Sequence, residues 1–433
     1  MRQKASHHNT LKQWSVDSWQ RFPVKQQPEY TDPQHLAEVL KHLEAVRGCV
    51  HEEAISSLGE RLCKIHKHGG LILHAGDCAE RFQDATYEYS QAKVWHILCL
   101  ASLLSHRSTK EVLCIGRLAG QFAKPRSQLY SLEDGLQLPT FRGDNIHEVS
   151  SSYQARQPDP DRLLLGYYLS QLMMTDVTAA LCEWNDEQTP QREQTCVKIF
   201  GKDRASWSRY DLEQKRPSQL FCSHEGLLLS YEQCLTRLAH STPPRHYNYS
   251  THLLWLGERT RSLKEGHLEY FRGIHNPVAI KLSAQTQKNE LKEYLKVLGN
   301  KPYPLTIITR LGKKHVASTL PWMIDMVKQA RVPVLWSCDP MHGSTHRTTQ
   351  GQKTRLITEM LEEFEESFLI HQKMKSTLSG IHLEITHQQV QECLKDHHEL
   401  QNSSILKPYT SYCDPRLNFE QSFDFIDQLA SYL

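Results

Sequence analysis

Val332-Pro333-Val334-Leu335-Trp336-Ser337 runs directly into Cys338-Asp339-Pro340-Met341-His342. The first half is apolar without alternation, as a strand buried on both faces is. The second half turns abruptly polar and carries a thiol, a carboxylate and an imidazole. This two-part unit recurs along the chain. Leu71–His74 leads into Gly76-Asp77-Cys78-Ala79-Glu80, Val112–Ile115 into Gly116-Arg117, Leu220–Cys222 into Ser223-His224-Glu225, and Leu253–Leu256 into Gly257-Glu258-Arg259. Val278–Leu282 contains Lys281, Leu305–Thr309 ends at Arg310, and Ile381–Ile385 contains Glu384.

Helical faces lie between the later runs: Leu291, Tyr294, Leu295 and Leu298; then Leu320, Met323, Ile324 and Val327; then Leu356, Met360, Phe364 and Phe368. Eight strands alternating with helices, with reactive groups at the strand C-termini, predict an α/β chain folded as a (β/α)8 TIM barrel. Its active site belongs at the C-terminal face.

Ahead of the first strand, residues 1–30 read as an irregular arm anchored by Trp14, Trp19 and Phe22. Asp32 caps a helix with Pro33 at its first position and Leu36, Val39, Leu40, Leu43 and Val46 on one face. A second helix, with Ala54, Ile55, Leu58, Leu62 and Ile65 on one face, stops at Gly69-Gly70. The chain therefore divides into an N-terminal arm with helices (1–69) and a catalytic barrel (70–433). The long interval 127–219 needs a helix over Leu163–Met174 and a polar surface excursion near 183–218.

Composition removes several classes. The chain has 433 residues, with 51 Lys+Arg against 49 Asp+Glu, a formal net charge of +2. A dedicated nucleic-acid binder usually carries a strong basic excess. The longest nearly apolar stretch, Leu163–Met174, is far short of the roughly 20 residues of a membrane helix. Residues 1–13 are polar and lack the apolar core of a secretory signal, so the expectation is a cytoplasmic protein with neither nucleic-acid nor membrane partners. The twelve cysteines contain no C-x-x-C pair and read mostly as buried thiols. Gly116-Arg117-Leu118-Ala119-Gly120 lacks dinucleotide-fingerprint spacing. Ser223-His224-Glu225 cannot act as a relay in one block, because adjacent strand residues face opposite ways.

Four residues after strands or in turn-rich segments suit a metal: Cys78, His342, Glu384 and Asp414. Taken singly, Cys78 is more often a buried thiol and Glu384 more often a strand-end surface charge. The barrel gathers at least the first three at one face, and such a mixed donor set suits Mn²⁺, Co²⁺, Fe²⁺ or Zn²⁺. Arg117, Arg259, Lys281 and Arg310 come from four different strands. Each alone reads as an exposed charge or an ion-pair partner of Glu258 or Glu225. Together they would hold a phosphate and a carboxylate. Lys124-Pro125-Arg126-Ser127 is either a solvated turn or a second phosphate site.

These segments, read together, resemble the class II 3-deoxy-D-arabino-heptulosonate 7-phosphate (DAHP) synthases. The resemblance begins at Trp14-Ser-Val-Asp-Ser-Trp19 and covers nearly the whole chain. It is carried by Gly76–Glu80, Gly116–Ser127, Arg142-Gly-Asp144, Ser223-His-Glu225, Trp255–Arg261, Asn276-Pro277, Lys281-Leu282, Cys338–Gly343, Lys353-Thr-Arg355, His382–Thr386 and Cys413–Asn418. Ser283 departs from the usual glycine.

The resemblance implies a metal-dependent transferase that condenses phosphoenolpyruvate with erythrose 4-phosphate, the first step of the shikimate pathway. It implies Cys78, His342, Glu384 and Asp414 as metal ligands, with Mn²⁺ or Co²⁺ as the expected ion. Arg117, Glu258, Arg259, Lys281 and Arg310 would bind phosphoenolpyruvate, with Lys281 and Arg259 as catalytic groups. Lys124, Arg126 and Ser127 would bind the erythrose 4-phosphate phosphate, and the chain is expected to form a homo-oligomer. Two other readings remain at this point: a secondary-metabolite synthase of the same family, possibly using an amino-sugar acceptor, and a non-catalytic ligand-sensing barrel. Because Cys413 neighbours Asp414, a disulfide between Cys78 and Cys413 is sterically permitted.

Overall fold

A computed structural model of the protein describes residues 13–133, 135–186, 218–239 and 243–433. The first helix, α1 (Pro33–Ala45), starts as its sequence dictates. The Asp32 carboxylate accepts the backbone N–H groups of Gln34 and His35, both at 3.0 Å. The second, α2 (Glu52–His68), ends at Gly69.

Eight parallel strands then close a barrel. They are β1 (Leu71–Gly76), β2 (Val112–Arg117), β3 (Leu220–Glu225), β4 (Leu253–Leu256), β5 (Val278–Ser283), β6 (Leu305–Arg310), β7 (Val334–Cys338) and β8 (Leu378–Glu384). Each pairs with its chain neighbours, and β1 also pairs with β8. All eight expected strands are present. The seventh starts at Val334, because Pro333 cannot donate to a ladder; its carbonyl instead accepts from Leu305 N at 3.0 Å. The eighth begins at Leu378, three residues before its apolar run, because Leu378 pairs with Trp336 and Gly380 with Ser337 and Ile72, the ladder to β7 shifting register at Ser379.

The barrel is walled by α3 (Tyr87–Ser108), α4 (Asp161–Asn185), α5 (Leu229–Cys234), α6 (Gly266–Gly273), α7 (Lys288–Leu298), α8 (Val316–Ala330), α9 (Ile357–Lys373) and α11 (Phe419–Ala430), with the short α10 (His397–Asn402) near the rim. Leu58, Leu62 and Ile65 of α2 share a core with Ile72, Ile115, Trp255 and Ile308. Helix α2 thus plugs the mouth of the barrel opposite the strand C-termini.

Several helices differ from the sequence reading, which names none at α5, α6 or α10. Helix α3 was not anticipated. Residues on all its sides are buried, so no amphipathic stripe marks it. Helix α4 runs past Met174 to Asn185, and its last turns are not part of a polar excursion. Trp184 is fully buried and packs edge-on against Trp95 at 5.4 Å. The rest of the expected excursion, 187–217, lies outside the described residues.

At the C-terminal face, Gly76 stands in register with both Arg117 and Glu384. Its φ is +148°, and a Cβ there would come within 2.6 Å of Arg117 O. Only glycine lets these three strand ends close so tightly.

Candidate active site

The four expected metal ligands meet at that face. Cys78 follows β1, His342 follows β7, and Glu384 ends β8. Asp414 reaches them on the loop before α11. Leu417 N donates to Glu384 O at 3.0 Å and Thr386 N to Leu417 O at 2.8 Å. Buried Arg416 ties the same loop to Asp77 (2.7 Å) and Glu392 (3.0 Å). The ligand atoms of Cys78, Glu384 and Asp414 lie within 4.8 Å of one another. His342 Nε2 is 3.0 Å from Glu384 Oε1.

Electrostatics prepares these groups for a cation. Burial pushes the His342 imidazole down to about 4, against the pull of Asp339 and Glu384, so it is neutral at physiological pH. Its Nδ1 faces Asp339 Oδ2 at 2.7 Å, which leaves the Nε2 lone pair towards Glu384. Burial opposes ionisation of Glu384, but His342, Lys124, Arg355 and Arg117 hold its carboxyl well below the usual range. Burial likewise opposes ionisation of Asp414, yet Lys124 and Lys353 keep it a carboxylate. Burial raises the Cys78 thiol well above its ordinary value, and Lys124 opposes that. One sulfur, one neutral imidazole nitrogen and two carboxylates fit a borderline divalent ion.

Lys124 occupies an unexpected place. Its Nζ lies 2.6 Å from Cys78 Sγ, 3.0 Å from Glu384 Oε1 and 2.7 Å from Asp414 Oδ2. The loop after β2 turns it inward because Glu80 accepts the backbone N–H groups of Ala119 (3.2 Å), Gly120 (3.0 Å) and Gln121 (3.0 Å). Lys124 is therefore engaged by the expected metal ligands, whereas Arg126 and Ser127 stay nearer the rim. Arg126 Nη1 reaches Tyr412 O at 3.5 Å, and Ser127 Oγ accepts from Arg259 Nε and Nη2 at 2.9 and 2.7 Å.

Beside the ligands lies a cavity lined by Arg117, Lys124, Arg259, Lys281 and Arg310, with Glu225 and Trp255. The four strand-end cations thus do converge. Arg117 is buried and donates to Asp77 O (2.8 Å), Cys78 O (3.0 Å), Glu384 Oε1 (2.9 Å) and His382 Nε2 (2.6 Å). Of its five N–H groups, these partners leave one on Nη1. Lys281 Nζ meets Asp339 Oδ2 at 2.9 Å. Burial and Arg117 push its ammonium down to about 8, against Asp339. Arg310 Nη2 donates to His342 O, while its buried Nε has no partner among the described residues. Glu258 lines the same cavity, but its carboxylate is engaged by Arg261 (2.7 and 3.0 Å) and by Ser283 Oγ (2.8 Å). The hydroxyl of Ser283 thus holds Glu258.

Residues 14–430 match the family model described as the Class-II DAHP synthetase family. The chain belongs to that family. It is 34% identical to a phospho-2-dehydro-3-deoxyheptonate aldolase of Neurospora crassa, over 97% of this chain and 94% of that one. It is 32% identical to the protein of that name in Streptomyces coelicolor (94% and 95% covered) and 32% to the AroG protein of Mycolicibacterium smegmatis (96% and 94%). A solved structure of phospho-2-dehydro-3-deoxyheptonate aldolase from Francisella tularensis shares the fold, with TM-score 0.50 and 14% identity over 95% of this chain and 98% of that one. As a class II DAHP synthase, the chain is a transferase of aromatic biosynthesis from a family that generally requires a metal. Among the described residues, no helix is long and apolar enough to cross a membrane.

Several residues of this DAHP synthase escaped the sequence reading. Asp339, fully buried, joins Lys281 to His342. Arg355 and Lys353 hold Glu384 Oε2 (2.8 Å) and Asp414 Oδ1 (2.7 Å). Glu225 presents a buried Oε1 with no partner among the described residues, and burial raises its carboxyl above the usual range. Asp339, Arg355 and Lys353 lie inside motifs quoted for the resemblance, but nothing in spacing alone distinguishes a residue that holds a ligand from one that is a ligand.

Proposed function

We propose that Cys78, His342, Glu384 and Asp414 hold the divalent metal, Mn²⁺ or Co²⁺, and that Arg117, Arg259, Lys281 and Arg310 cradle phosphoenolpyruvate beside it. When bound, the metal supplies Lewis acidity for the aldehyde carbonyl of erythrose 4-phosphate. What supports this reading is the cluster of Cys78, Glu384 and Asp414, with His342 reaching Glu384 at 3.0 Å, beside a cavity lined by four cations from separate strands.

The cations do two jobs. Arg and Lys groups match the phosphate and carboxylate of phosphoenolpyruvate and hold its methylene carbon facing the aldehyde, so that fixed orientation supplies much of the rate. Lys281, one wall of that cradle, carries its charge up to a pH of about 8. A water adds to C2 of the enol, and inorganic phosphate leaves. Glu225 is the cavity carboxylate without a partner among the described residues, and its Oε1 directs that water. Glu258, neutralised by Arg261, shapes the wall rather than meeting the substrate's anions. At the rim, Arg126 and Ser127 take the phosphate of the aldehyde substrate, with Lys124 between the two substrates.

The test is His342→Ala. It removes one nitrogen donor from a strand end with little core packing. The expected result is loss of bound metal by elemental analysis and of activity by several orders of magnitude, with an unchanged circular dichroism spectrum. A variant that retains metal and turnover would refute the assignment.

A further inference from the structure

The interior of the barrel holds two histidines that do not themselves line the cavity. His382 Nε2 lies 2.6 Å from Arg117 Nη1. His382 Nδ1 lies 3.1 Å from His74 Nδ1, and His74 Nε2 lies 2.7 Å from Ser223 Oγ. Ser223 Oγ in turn donates to Gly116 O at 2.9 Å. Both rings are buried and stand edge to face, 4.3 Å apart, with Trp255 edge-on to each at 5.5 and 5.8 Å.

Donor counting fixes every proton in this row. A guanidinium only donates, so His382 Nε2 must accept. Its proton is then on Nδ1 and is given to His74 Nδ1, which must also accept. His74 therefore carries its proton on Nε2 and donates to Ser223 Oγ. The serine proton is left for Gly116 O. Each donor and each acceptor is used once, and the chain runs in one direction from the cation inward.

We propose that His382, His74 and Ser223 are positioning residues that lock the Arg117 guanidinium in the phosphoenolpyruvate cradle through this one-way hydrogen-bonded row. The proposal rests on the reading of Arg117 as part of that cradle. Without the row, Arg117 would keep its charge and its carbonyl partners but lose the acceptor that fixes Nη1, the nitrogen with the remaining N–H.

The experiment uses the full-length enzyme, loaded with Mn²⁺ for kinetics and with diamagnetic Zn²⁺ for the spectra. Nitrogen spectra of ¹⁵N-histidine-labelled protein, assigned by the signals lost in His74→Phe and His382→Phe, should show His382 protonated on Nδ1 and His74 on Nε2. His382→Phe should raise the KM for phosphoenolpyruvate about tenfold or more, with the KM for erythrose 4-phosphate unchanged. His382→Gln, whose amide oxygen can accept from Arg117, should recover most of that loss. Ser223→Ala should raise the same KM by a few-fold.

The opposite tautomer at either histidine, a Gln variant no better than Phe, or a loss spread equally over kcat and both KM values would overturn the proposal. If the Phe variants fail to fold, Ser223→Ala supplies the kinetic test and His74→Gln and His382→Gln the assignments. Arg117→Lys separates the two levels. If it leaves the phosphoenolpyruvate KM unchanged, the cradle reading fails; if it raises that KM while the row variants do not, the row fails.

Discussion

Asp339→Asn should disable two functions through one buried side chain. Asp339 is fully buried, and its oxygens meet Lys281 Nζ at 2.9 Å and His342 Nδ1 at 2.7 and 2.9 Å. They also accept the backbone N–H groups of Met341 (3.2 Å) and His342 (3.1 Å). An amide keeps the shape and the Oδ1 acceptor for those N–H groups. Its NH2 then faces the Lys281 ammonium, donor against donor. Losing a charged hydrogen bond costs about 1.5–3 kcal/mol, and 1.36 kcal/mol corresponds to one pH unit.

The Lys281 ammonium, already down to about 8, should therefore drop by roughly one to two pH units in the variant. The parent is mostly charged at pH 7.5 and the variant mostly neutral. The phosphoenolpyruvate KM should rise about 10–150-fold, and its rise with pH should begin at lower pH. Removing the partner that orients His342 should also weaken metal binding by roughly 10–100-fold. Phosphoenolpyruvate KM from pH 6 to 9 and metal competition with a chelator measure the two effects. A variant whose pH profile overlays the parent's, with metal affinity unchanged, would refute the role given to Asp339.

In the parent enzyme the charged form of Lys281 binds the anion, so the KM for phosphoenolpyruvate should be flat below about pH 8 and climb above it; Lys281→Arg should flatten the climb, and an unchanged inflection would assign it to another group. Arg310→Lys keeps the charge but loses the planar fork, so catalytic efficiency should fall about 10–150-fold, chiefly through phosphoenolpyruvate. An effect on erythrose 4-phosphate alone would mean that Arg310 is misassigned. Cys78 and Cys413 pack in one buried cluster with Phe141. Mild peroxide on metal-depleted enzyme should join them and inactivate it, with thiol and Mn²⁺ restoring activity; a Cys413→Ser variant that inactivates and recovers like the parent would exclude this.

Most of the barrel was readable because its strands are continuous apolar runs, each stopping at a polar group, and that pattern survives without any tertiary information. Helix α3 was not, because burial on all its sides erases the 3.6-residue stripe that marks an amphipathic helix. The metal residues and the strand-end cations could be named because their side chains are chemically unusual at the ends of apolar strands. Lys124 was harder. Only the Glu80 carboxylate, gathering three backbone N–H groups of a loop some forty residues away, turns it from a rim position into the ligand cluster. Asp339, Arg355 and the His74–His382 pair act through other side chains. Their roles depend on distances across the barrel, which a linear sequence does not contain.

The decisive measurement is phosphate release from phosphoenolpyruvate in the presence of erythrose 4-phosphate, before and after chelation and again after Mn²⁺ is restored. Release should require both substrates, disappear with chelator and return with Mn²⁺. Release that continues undiminished in metal-free enzyme, or that proceeds without the aldehyde, would contradict it.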